Sequence, residues 1–333
     1  MFTILGHGHA SSGLCAGLAV GDSMQFPPAL TLTLGAAGAG AALLCDIDCA
    51  GSTAASAFGP VSEIAHHLAI EAHYAAVALI DPEHTDGHGA HRGLTHWWPW
   101  WILMGGAVAL GCELSRWTSI GALIVLFTLA VRGLTIPGQP STPQGRFRNP
   151  HTHQVAMTGA YHLMRFTPLW FLHKARKHVN RTKRIGGKTL GFAFGVGKLT
   201  TFLTCAGLVL GANYYSVLPQ LGPWLGLLVW GGHFLHWLGD CPTEMGVPGW
   251  HLTRFWRLPK WLAFKAGGPF EVVALWVPMG FLACFLLGGA FGFVAHALVV
   301  TVLWYIAAGF GVLAFAIAVA TAVTRTIKRR SYA

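Results

Sequence analysis

Long apolar stretches separated by short polar breaks dominate the chain. They predict helical spans near 10–21, 29–44, 97–114, 117–132, 191–214, 222–239, 271–289 and 292–322, most of them long enough to cross a ~30 Å hydrocarbon layer as helix. The first is short for a crossing and reads as re-entrant, or as beginning nearer Met1. There Gly13, Gly17 and Gly21 recur every four residues, a spacing that suits close packing against another helix. Two polar insertions interrupt the series, at 45–96 and at 137–190. The fold class expected is all-α, a polytopic transmembrane helical bundle of about eight spans with a polar site at its cytoplasmic face. Residues 1–250 hold that site, and 251–333 add an interfacial segment, two further spans and a basic tail.

Composition agrees with the pattern. Of 333 residues, 53% are hydrophobic and 10% charged, against roughly 25% charged in soluble domains. Short alternating segments of the kind that build a membrane barrel are lacking. The seven cysteines form no CxxC pair and read as small apolar residues within helices. The start of the chain has no basic region ahead of its apolar run, so a cleaved signal peptide is not expected.

Charge sets the direction. The insertion at 137–190 carries Arg146, Arg148, Arg165, Lys174, Arg176, Lys177, Arg181, Lys183, Arg184 and Lys188, and the tail reads TRTIKRR. Both belong in the cytoplasm by the positive-inside rule. Eight spans then leave Arg116 alone outside and put both termini inside. The net charge of +10 reflects this topology and contact with anionic lipid, not nucleic acid, for which no aromatic-plus-basic module is present.

Polar residues gather at the cytoplasmic ends of these spans: His7 and His9 before the first, Asp46 and Asp48 after the second, His91 and His96 before the third, and His233, His236 and Asp240 closing the sixth. Ionisable groups at membrane depth are costly unless they pair, line a wet cavity or bind something. Imidazole and carboxylate together suit a divalent cation, zinc or manganese first. His236 and Asp240, four apart, share one helix face. Asp46 and Asp48 need a turn to converge. His91 and His96, five apart, need a turn in the intervening Arg-Gly-Leu-Thr. Singly, each has a structural reading, as a helix terminator or a packed core histidine.

Other histidines are set aside. His66, His67 and His73, with Glu63 and Glu71, lie on an amphipathic helix expected at the interface with its polar side in water. His84 and His88 belong to a solvated loop. Thr95 is expected to cap the helix beginning near His96. Trp97, Trp98, Trp100 and Trp101 read as an aromatic belt, with Pro99 in the first turn.

The order DID, a small-residue stretch with Ser52, HRGLTH and HxxxDxxTxxG resembles the YdjM-like, LexA-regulated family of bacterial inner-membrane metal-dependent hydrolases. The residues carrying it are Asp46, Asp48, Ser52, His91, Arg92, Gly93, Thr95, His96, His236, Asp240, Thr243 and Gly246, with His9 preferred to His7 as the early histidine. The chain departs from the family at Cys45 and Cys49, where proline and histidine are usual, and at Trp97 in place of serine. The resemblance implies a metal held by a subset of His9, Asp46, Asp48, His91, His96, His236 and Asp240.

The resulting expectation is a metal-dependent hydrolase acting at the cytoplasmic face on a lipid or lipid-linked phosphoester, with membrane lipids as its partners. Asp48 is the candidate general base and Arg92 the candidate receptor for a carboxylate or phosphate oxygen. GxSxG, HExxH and P-loop motifs are missing. The competing readings are a divalent-cation or proton transporter, which calls for polar residues at mid-span, and a non-catalytic protein whose metal ties helix ends together.

Overall fold

The computed structural model describes residues 6–49, 52–58, 60–81, 92–135, 224–243, 245–258, 277–295 and 297–306, with isolated positions at 201, 205–207, 209, 221, 263 and 308–309. It is mostly helical. The helices are α1 (Gly6–Ser23), α2 (Pro28–Ala41), the one-turn α3 (Thr53–Ser56), α4 (Pro60–Ile80), α5 (Trp98–Leu114), α6 (Arg116–Thr135), α7 (Trp224–Asp240), α8 (Val277–Ala290) and α9 (Ala297–Ile306). Two 3₁₀ turns, Leu44–Asp48 and Leu94–His96, and a two-stranded hairpin, β1 (Val247–Pro248) with β2 (Phe255–Trp256), complete it.

Helix α2 is the centre of the bundle, packed by α1, α6 and α7. Its run of Gly and Ala leaves room for close neighbours. A Cβ on Gly13 of α1 would land on the carbonyl of Gly38, and one on Gly232 of α7 would meet the Ala41 carbonyl carbon at 2.6 Å. The glycine repeat of α1 is therefore the seam with α2, as its spacing suggested. Around that seam Leu34 and Ala37 pack with Leu123 and Leu126 of α6 and Leu225 and Val229 of α7.

Among the described residues, two helical stretches are long and apolar enough to cross a membrane: Pro28–Asp48, 21 residues, and Arg116–Leu134, 19 residues. This is short of the eight expected. Helices α5 and α7 are apolar but have 17 residues each, and α1 is diluted by histidine, serine and glycine. The span expected at 191–214 falls largely outside the described residues, as does the whole basic insertion at 137–190; of the span expected at 292–322, the described part holds the short apolar helix α9.

Chain direction alternates through the bundle, so one end collects specific termini: the start of α1, the 3₁₀ turn that extends α2, the turn that leads into α5, and the last turns of α6 and α7. His7 Nδ1 donates to the carbonyl of Gly133 near the end of α6, which ties two of these together.

Two local expectations change. Thr95 does not cap α5; the N-cap position is Trp97, without a side-chain cap, and Pro99 occupies the first turn. Trp101 is not in an aromatic belt. It is buried against Phe234 and Trp237, and its indole N–H donates to the Thr95 carbonyl at 3.2 Å. Trp98, by contrast, is exposed.

Candidate metal centre

Five side chains from four segments meet at the collected end of the bundle. The imidazole Nε2 of His236 lies 3.4 Å from Asp46 Oδ1 and 3.6 Å from Asp240 Oδ2. His96 Nε2 lies 3.6 Å from Asp240 Oδ2 and 4.0 Å from Asp46 Oδ1. His9 Nε2 is 3.6 Å from Asp240 Oδ1, and its ring stacks on that of His236 with centroids 3.5 Å apart. Two overlapping triads result, His9–His236–Asp240 and Asp46–His96–His236, each able to hold a metal ion.

The tautomers favour a cation. His236 Nδ1 faces the carbonyl of Ala42 at 2.6 Å, so it carries the proton and Nε2 presents a lone pair. That lone pair points at carboxylate oxygens. His9 Nε2, His236 Nε2 and Asp240 Oδ2 are buried and make no hydrogen bond, although buried polar atoms are nearly always satisfied. Lone pairs brought together in this way need a positive charge between them. Four donors bound at ~2.0–2.2 Å to a tetrahedral ion stand ~3.3–3.6 Å apart, close to the separations above. These residues fit a divalent cation of the zinc or manganese type, whose identity the donor set does not single out.

Behind the donors lies an orienting layer. The Thr95 hydroxyl donates to Asp48 Oδ2 at 2.5 Å and meets His96 Nδ1 at 3.1 Å, which suits a protonated Nδ1 and turns Nε2 of His96 toward Asp240 and Asp46. Asp48 itself is 3.8 Å from Nδ1, on the side of the ring away from the cluster, and belongs to neither triad. Burial pulls the His96 imidazole down, but Asp240 and Asp48 raise it to a net position above its ordinary value. The negative field of the site prevails over desolvation.

Arg92 is fully buried. Its NH2 donates to Asp240 Oδ1 at 2.8 Å, and its NH1 donates to Thr243 Oγ1 at 2.6 Å and to the Gly246 carbonyl at 2.9 Å. Thr243 in turn donates to the Asp240 carbonyl. The arginine of HRGLTH is thus gripped by the aspartate, threonine and glycine of HxxxDxxTxxG, and the two motifs form one unit. The geometry needs Arg92 at φ 62° and Gly246 at φ 71°, a region where glycine is at ease and arginine is strained. Ser52 braces the neighbouring turn: its hydroxyl donates to the Asp46 carbonyl at 2.6 Å and caps α3 by accepting from the Ala55 amide.

His91, one of the expected ligands, lies outside the described residues, as do His84 and His88. His7 and His233 are buried but belong to neither triad; His233 Nδ1 binds the Val229 carbonyl of its own helix. Burial, with Asp46 and Asp48 beside it, holds the Cys49 thiol well above the usual thiol range. Two histidines set aside in the sequence prove to be structural supports. His66 Nδ1 donates to the Ile47 carbonyl at 2.8 Å, between the two aspartates, and the Leu94 amide donates to His73 Nδ1 at 3.2 Å. Helix α4 therefore turns these two inward, not into water. Their seven-residue spacing on one face was the available signal.

The family model of the YdjM inner membrane protein matches positions 4–135. Over this region the chain is similar to an inner-membrane family. The YdjM-matched region supplies His9, Asp46, Asp48, Arg92 and His96. His236, Asp240, Thr243 and Gly246 come from beyond it, yet they close the same cluster. No curated protein and no solved structure matches the chain.

Proposed function

We propose that this chain is a multi-pass inner-membrane, metal-dependent hydrolase working at the cytoplasmic face on a lipid or lipid-linked phosphoester. The observation that carries the reading is the convergence of unbonded, buried Nε2 and carboxylate atoms from His9, His236 and Asp240. Asp46 and His96 complete the ligand set. A divalent ion held there supplies Lewis acidity toward a phosphoryl or carbonyl oxygen and toward water.

The remaining roles follow from position. Asp46 is the most exposed of the five, with a side chain 10% accessible, so it is the ligand at which the centre would open to incoming water. Asp48, held behind His96 by Thr95, orients that imidazole, as carboxylates behind metal-bound histidines do. Arg92 fixes Asp240 and is a positioning residue, with NH1 and NH2 already engaged. The lysine and arginine distribution supports cytoplasmic termini, and the clustering of donors at one end of the bundle, not at mid-span, favours catalysis over transport.

The test is elemental analysis of protein purified in detergent, wild type beside His236→Ala and His233→Ala. Near-stoichiometric metal in wild type and His233→Ala, lost in His236→Ala, is expected and directs a screen of lipid phosphoesters. A wild type that takes up neither zinc nor manganese when supplied removes the basis for the reading.

A further inference from the structure

Helix α4 exposes large apolar side chains alongside Glu63, His67 and Glu71. Its inward face carries His66 and His73, while Val61, Ile64, Leu68 and Leu79 are 60–85% exposed. Large apolar side chains clustered on an outer face mark contact with another apolar phase. The helix is tied directly to the hairpin. Leu252 packs with Val77 and Leu94, and Thr253 donates to Asp81 at the end of α4 at 2.8 Å.

The hairpin adds the features of a head-group layer. Trp250 is 76% exposed and stacks edge-on with exposed Trp98, while the Trp97 indole N–H donates to the Trp250 carbonyl. Indoles with one wet and one apolar side concentrate at membrane interfaces. Arg254 and Arg257 are exposed on the same hairpin. The stem of Arg257 passes beside Gly246, whose carbonyl holds Arg92. Guanidinium groups match phosphate geometry.

We propose that the outer face of α4 and the adjoining hairpin rest in the head-group layer of the bilayer and bind anionic phospholipid, with Arg254 and Arg257 on the phosphates. The proposal rests on the membrane placement of the chain and not on the metal centre. It gives that centre a setting: a lipid head group held at the hairpin lies next to the segment that fixes Asp240.

Photo-crosslinking tests this on the full chain in vesicles of phosphatidylcholine and phosphatidylglycerol, where one lipid at a time carries a diazirine beside its glycerol. Adducts located by mass spectrometry are expected within 61–79 and 250–257. At the hairpin the anionic lipid should be favoured by roughly fivefold per arginine, a preference that disappears in an Arg254→Gln/Arg257→Gln variant. An unlabelled α4 and hairpin, while exposed Trp117 at the start of α6 collects adducts, overturns the proposal. The same result from a dimeric protein would assign the surface to a second copy and overturn it equally. A double variant that keeps the anionic preference refutes the role of the arginines. None of these readouts depends on bound metal.

Discussion

Replacing Arg92 by alanine separates a positioning arginine from one that receives substrate. The guanidinium has no solvent exposure, and neither has the Asp240 carboxylate it pairs with at 2.8 Å. Truncation leaves that carboxylate buried without its cation, a loss worth ~3–5 kcal/mol. Thr243 Oγ1 and the Gly246 carbonyl lose a donor as well, but their cost overlaps with the first, so ~4 kcal/mol is a fair sum. Alanine keeps the left-handed backbone strain. Glycine removes it, so Arg92→Gly should be more stable than Arg92→Ala by ~1–2 kcal/mol.

The assay is thermal unfolding in detergent, followed by tryptophan fluorescence, with chelator present so that no cation compensates Asp240. At ~2–4 °C per kcal/mol, Arg92→Ala should melt ~8–16 °C below wild type, and Arg92→Gly a few degrees above Arg92→Ala. Arg92→Lys keeps a charge near Asp240 but cannot reach all three acceptors, and should fall between alanine and wild type. An alanine variant melting within ~2 °C of wild type would refute the tie and return Arg92 to the role of an anion receptor.

Three further outcomes follow from the same contacts. Thr95→Val removes the hydroxyl between Asp48 and His96 and should weaken metal binding ~10–100-fold without changing stoichiometry, read by competition with a chromophoric chelator. His9→Ala should lower metal affinity in that assay while His7→Ala leaves it unchanged, because His7 points to Gly133; equal effects would exclude His9 from the centre. Gly13→Val should destabilise the bundle by ~1–3 kcal/mol, whereas Gly106→Ala, with nothing within 4 Å of the added methyl, should melt with wild type.

Much of the candidate site was legible because span ends are legible. Once α1, α2, α5 and α7 are laid antiparallel, His9, Asp46, His96, His236 and Asp240 have one end of the bundle in common. The partners of Arg92 were not legible. Asp240, Thr243 and Gly246 lie about 150 positions away, and a sequence pattern ranks residue types without saying which of two motifs closes on the other. Thr95 was misjudged for a related reason. A threonine before a helix favours capping, but the N-cap of α5 is Trp97, two residues later, and the Thr95 hydroxyl is turned instead to Asp48 and His96.

Helix α4 exposes a more general limit. Periodicity identifies which residues share a face, and it placed His66 and His73 together correctly. It does not say which face looks inward. In water the apolar side packs and the polar side is hydrated, and that rule sent both histidines to solvent. The structure divides that polar side: His66 and His73 turn in to the Ile47 carbonyl and the Leu94 amide, while Glu63, His67 and Glu71 stay exposed together with Leu68 and Leu79. The turns bearing Asp46 and His96 are braced by this helix, so with its outer side in lipid, as proposed above, their spacing, and with it metal affinity, should respond to bilayer composition more than to ionic strength. Metal titrations of the same protein in detergent and in vesicles of two acyl-chain lengths would show this as a shift in affinity. Identical affinities in all three would mean that the bundle alone, through the α1–α2 seam and the Arg92 tie, sets the geometry.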